Sequence, residues 1–193
     1  MYYVFGIDVG QENQFVFFTE EPDDYDSEQW DSGRKLPNPP PNLTLVADED
    51  GQEAPSDLLL TDFDFFVASP KLISVLSSLS VENIEYYPIN VVNGDGDTIA
   101  SDYKAMLIIG RCACLDKNNA TLRYSADNED LLSVKRFSVL ENKIVPIGSQ
   151  SDKPLIFRLD EFPFITLVHE SVKKACEDND ITGVEFIQTT DYM

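Results

Sequence analysis

Apolar and polar positions alternate at strand spacing along most of the chain. Tyr2–Val9 and Gln14–Thr19 are dense in Val, Ile, Phe and Tyr around a polar turn, which predicts an N-terminal β-hairpin. Leu43–Ala47 predicts a short strand, and Ile84–Val92 a longer one in which Pro88 favours an edge or a bulge. "NGDGD" makes a turn after it, and Asp102–Leu115 returns as a long apolar strand broken by Gly110. Further strands are predicted at Thr121–Ser125, Ser133–Leu140, Leu155–Leu159, Phe164–Val168 and Thr182–Thr190. The period turns helical in two places. Ser69-Pro70 offers an N-cap with proline at the first helical position, and Leu72, Val75, Leu76 and Leu79 follow at helical spacing, predicting a helix over 70–79. Glu170–Glu177 predicts a second helix with Val172, Ala175 and Cys176 inward, its end weakened by Glu177 and Asp178 against the helix dipole. With no internal repeat, the pattern predicts an α+β fold: a single domain, mostly antiparallel β-sheet, with two or three short helices.

The regular pattern fails between residues 20 and 57. Glu20–Asp31 is acidic and turn-rich, "LPNPPPN" (Leu36–Asn42) reads as a polyproline-type connector, and Asp48–Asp57 is a second acidic loop. Such a stretch is long for a loop in a compact domain. It is either a functional surface segment or irregular structure pinned by Trp30 and Leu36. The chain therefore divides into 1–57, a β-hairpin plus an acidic, Pro-rich irregular segment, and 58–193, a regular α+β region, within one continuous domain.

Charge sharpens this division. The 193 residues carry 35 acids against 14 bases, a net of −21. Residues 1–70 hold 16 of the acids and only Arg34 and Lys35 in return, whereas residues 71–193 hold 19 acids and 12 bases. Such a field repels nucleic acid and anionic membrane and draws in a basic protein partner. Asp23, Asp24, Asp26, Glu28 and Asp31 are the candidate contacts, with Tyr25 and Trp30 as aromatic anchors of the kind enriched in binding hot spots. For Trp30, packing of the loop onto the core is an equal alternative. Three cysteines, an odd count without framework spacing, argue against a disulfide-stapled secreted fold, and the N-terminus has no signal-like basic region. The expected location is cytoplasmic.

Motifs that could carry chemistry are weak. "FGIDVG" (Phe5–Gly10) matches the opening strand of actin-like ATPases, which leaves a nucleotide-dependent enzyme using Asp8 as a remote alternative. Its turn reads Gln11-Glu12-Asn13, however, and Glu12 would set a carboxylate beside the phosphates. "NGDGDT" (Asn93–Thr98) alternates oxygen ligands as a calcium loop does, but lacks the distal Glu and suits a hairpin turn. Cys112 and Cys114 read as buried core thiols rather than zinc ligands, and His169 as a lone histidine near a helix N-terminus. No catalytic, metal-binding or cofactor-binding set is expected.

Several blocks in order resemble a known family. They are "LLLTDFDFFVASPKLISVLSSL", "IEYYPINVV", "DYKAMLIIGRCACLDKNNATLRYS", "LLSVKRFSVLENKI", "LIFRLDEFPFITLVHESVKKAC" and "DITGVEFI". Together, over roughly residues 58–193, they resemble the bacterial polymorphic-toxin immunity family named after a myxobacterial immunity protein, formerly a domain of unknown function. The resemblance implies a non-enzymatic protein without cofactor that binds and neutralises a cognate toxin in the cytosol. It brings no fixed set of toxin-contacting residues, and it leaves the acidic N-terminal segment as a feature of this chain. An acidic adaptor or regulatory module without a toxin partner is the alternative.

Overall fold

The computed structural model describes residues 1–8, 16–17, 27–39, 43–47, 55–59, 61, 65–127, 129–145, 147 and 152–193. In chain order the strands are β1 (Tyr2–Ile7), β2 (Val16–Phe17), β3 (Leu43–Ala47), β4 (Leu58–Leu59), β5 (Phe66–Ala68), β6 (Ile84–Val92), β7 (Thr98–Ala100), β8 (Lys104–Ile108), β9 (Arg111–Cys112), β10 (Thr121–Tyr124), β11 (Leu131–Lys135), β12 (Ile156–Leu159), β13 (Thr166–His169) and β14 (Val184–Gln188). The helices are α1 (Ser27–Asp31), α2 (Pro70–Ser78) and α3 (Glu170–Asp178). One sheet runs β14-β1-β13-β12-β9, another β2-β3-β6-β8-β5-β4 with β7 also on β6, and β10-β11 form a separate ribbon. Pairing is antiparallel except at β3–β6 and β12–β9. The α+β, mostly sheet architecture is the predicted one.

Strand alternation sorts side chains into three cores. On β8, Ala105 and Leu107 face one cluster with Trp30, Leu45 and Val91, while Met106 and Ile108 face a second. That second cluster lies between the two large sheets and takes Leu72 and Leu76 of α2 and Val172 and Cys176 of α3. On β1, Phe5 joins it, whereas Tyr2 and Val4 point into a third cluster with Phe137, Phe157 and Leu167. Both large sheets are therefore apolar on both faces. This explains the near-continuous hydrophobicity of β8 and β12.

The predicted N-terminal hairpin is corrected. β1 pairs with β13 on one side and β14 on the other, and β2 pairs with β3 in the other sheet. Alternation fixes which face of a strand is buried, not which strand lies beside it. The Asp102–Leu115 strand also divides, and its halves join different sheets at Gly110. Gly110 has φ +97°, and a Cβ there would run into the Ile147 side chain. Asn83 ties the same junction from beneath: its Nδ2 donates to the carbonyls of Ile109 and Ile156, each at 2.8 Å. β6 is an interior strand, yet Pro88 sits where its partners change, being the last residue paired with β8 and one before pairing with β3 begins.

Both longer helices follow from their caps. Ser69 Oγ accepts from Leu72 N at 3.1 Å and donates to Asp57 Oδ1 at 2.6 Å. Asp57 Oδ2 accepts from Thr182 N at 3.0 Å and lies 3.6 Å from Lys71 Nζ. One carboxylate thus clips the start of α2 to the loop before β14. Counted by sequence in an acidic loop, Asp57 is 9 % exposed. On α3, Lys173 and Lys174 form i,i+4 ion pairs with Glu177 and Asp178, offsetting the acids at that end.

Candidate protein-binding site

The acidic segment enters the described structure at α1, and Trp30 fixes it there. The indole is 1 % exposed, packed on Phe65 with centroids 4.5 Å apart and on Tyr87 edge-on at 5.4 Å. Of the two readings of Trp30, the structure shows core packing. The chain that follows is held at successive points. Gly33 O accepts from Gly110 N at 2.8 Å, Lys35 pairs with Glu85, and Leu36 N donates to the Tyr87 hydroxyl at 3.4 Å. The hydrogen bond and charge of Glu85 raise the Lys35 pKa above its ordinary value.

With Trp30 turned inward, α1 presents Glu28 and Gln29 to solvent. They line a shallow groove of about 440 Å³ together with Ser32, Arg34, Lys35 and Pro37. The surface described here is therefore of mixed charge. Asp23, Asp24, Tyr25 and Asp26 lie outside the described residues; Asp31 closes α1, and its side chain is likewise outside the description. Leu36, expected to help pin the segment, is 9 % exposed and packs in the same cluster as Trp30.

The sites considered for chemistry have structural roles. Asp8 N donates to Gly183 O at 3.0 Å, tying the end of β1 to the start of β14, while Val9 and Gly10 lie outside the described residues. Asn93 Oδ1 accepts from the amides of Asp95 and Asp97 at 3.1 and 2.8 Å, closing the β6–β7 hairpin turn with Gly96 at φ +86°. His169 is the N-cap of α3, its Nδ1 accepting from Ser171 N at 3.3 Å, and burial pushes its pKa down. Cys112, Cys114 and Cys176 are buried free thiols; burial raises all three, Cys114 to about 12 and Cys176 to about 11, so they are protonated and inert at neutral pH. Among the described residues no group of three His, Cys, Asp or Glu side chains is placed to hold a metal ion.

No curated protein matches the chain. A family model does: the immunity protein family Imm11, over residues 10–191. That span bears out the resemblance over 58–193 and extends it to the acidic, Pro-rich segment and the β2, α1 and β3 elements that carry it. With nearly its whole length matched, the chain belongs to the Imm11 immunity protein family.

Proposed function

We propose that the protein binds one cognate toxin in the cytosol and blocks it by direct contact, without catalysis. The observation that carries this reading is the family match across residues 10–191, which includes the acidic segment. The net charge of −21 supports a basic toxin, steered in by the long-range field before contacts form. In this mechanism Asp23, Asp24, Asp26, Glu28 and Asp31 supply charge at the docking surface and Tyr25 an apolar contact. Trp30 acts from below, anchoring α1 to the sheet so that less ordering is needed on binding. The three unpaired, buried thiols support a reducing compartment.

The test pairs this chain with the product of the adjacent gene. Co-expression should restore growth to cells making that product, and failure to do so would reject the immunity reading. Stopped-flow association should slow by about tenfold or more between roughly 0.05 and 0.5 M salt. A salt-independent rate would reject steering while leaving immunity in place.

A further inference from the structure

We propose that Phe164 and the cleft beside it form the apolar centre of the toxin-binding surface, receiving an apolar side chain flanked by lysines or arginines. The inference rests on the immunity reading and adds a contact that the acidic segment does not supply. Phe164 is 72 % exposed, far more than any other described aromatic residue. It is held out rather than loose. The turn between β12 and β13 closes on itself through Phe162 N to Leu159 O at 3.2 Å and Ile165 N to Phe162 O at 3.0 Å. Pro163 fixes the backbone, and the Phe162 ring meets Phe164 edge-on at 5.3 Å. A rigid exposed aromatic loses little entropy on binding, as interface anchors require.

Beside it lies a cleft of about 130 Å³ walled by Ile7, Phe65, Phe66, Pro163 and Phe164, with Thr61 and Thr166 also in its lining. An engineered apolar cavity of about 150 Å³ accommodates benzene, so this smaller cleft suits one aliphatic side chain. Arg158 also lines the cleft, but it is 4 % exposed and already engaged within the protein. Two observations select the toxin as occupant. Exposed Asp160 lies in the same turn and Asp8 directly follows Ile7, which favours a basic surround on the partner. Phe65, in the wall of the cleft, is also the ring on which Trp30 packs, so the cleft adjoins the ring that supports α1.

The measurement is the Kd of purified, catalytically inactivated product of the adjacent toxin gene for wild-type chain, Phe164→Ala, Glu28→Lys and Leu132→Ala. Leu132 is an exposed apolar residue on the β10–β11 ribbon and serves as control. Phe164→Ala should keep the wild-type melting temperature and weaken binding at least tenfold through faster dissociation, with Leu132→Ala unchanged. Wild-type affinity in Phe164→Ala would overturn the inference, and if Glu28→Lys still weakened binding the immunity reading would survive it. A wild-type chain that does not bind this product would overturn both.

Discussion

Replacing Trp30 with alanine removes the one tryptophan of the chain, a side chain 1 % exposed between Phe65 and Tyr87. An aromatic of this kind buries roughly 150–250 Å², or about 4–6 kcal/mol at about 25 cal/mol per Å². Realistic unfolded chains already bury part of that area, and measured truncations of buried Phe and Trp cost about 3–5 kcal/mol. The lower range is the expected loss for Trp30→Ala. Against a typical stability of about 5–15 kcal/mol this is a large fraction, and it lowers the melting temperature by roughly 6–20 °C for a chain of this size. Urea denaturation followed by far-ultraviolet circular dichroism measures it without needing the lost fluorophore. Trp30→Phe keeps an aromatic between the same two rings and should lose about half as much while binding toxin normally. The reasoning fails if Trp30→Ala loses less than about 1 kcal/mol while toxin affinity drops tenfold. Trp30 would then be a surface anchor and not the support of α1.

Three further outcomes follow from the same structure. Asp57→Ala leaves the Ser69 hydroxyl and the Thr182 amide without their shared acceptor and should cost about 3 kcal/mol in urea denaturation, a loss under about 1 kcal/mol refuting the clip. Gly110→Ala forces a Cβ into the left-handed region against Ile147 and should destabilise by at least about 2 kcal/mol; near-neutral denaturation would mean the sheets do not cross there. His169, the one histidine, has a folded pKa below its ordinary 6.5, so its contribution is present above pH 6.5 and lost as pH falls through the folded value. The stability advantage of wild type over His169→Asn, which keeps a cap acceptor, should therefore shrink below pH 6.5, and a pH-independent difference would contradict the capping role.

Local chemistry was readable where a few neighbouring residues decide the outcome. Ser69-Pro70 with Leu72, Val75 and Leu76 specifies α2 by cap and period, and the bounds of β3 and β6 match the predicted ones. Contacts distant in sequence were not readable. Nothing in Tyr2–Ile7 says that its neighbours come from residues 166–169 and 184–188, and nothing around Asp57 points to Thr182, 125 residues away. Phe164 was missed because an aromatic at the head of an apolar run reads as core. The signal against that reading is Pro163, which cannot donate to a strand ladder and lies with Phe164 in the turn before the strand begins at Thr166. Trp30 shows the opposite ambiguity, since an indole in an acidic stretch suits an anchor as well as a staple, and only its neighbours decide.

Those neighbours also bear on how an acidic segment can work as a binding device. Free acidic loops repel themselves and lose much entropy when a partner orders them. Here residues 18–26 are bracketed by Val16 at 0 % exposure and Trp30 at 1 %, and residues 48–54 by Ala47 at 3 % and Ser56 at 8 %. Each acidic run is tethered at both ends by core residues within a few positions of its charges. Loop-closure entropy grows slowly with length, so a buried residue at each end costs little in stability and lowers the entropy a partner has to remove. Removing a tether such as Trp30 should thus weaken toxin binding even though no atom of it meets the partner. Removing a charge such as Glu28 should slow association without altering the melting temperature. Distinct signatures from these two substitutions separate the scaffold from the surface it carries.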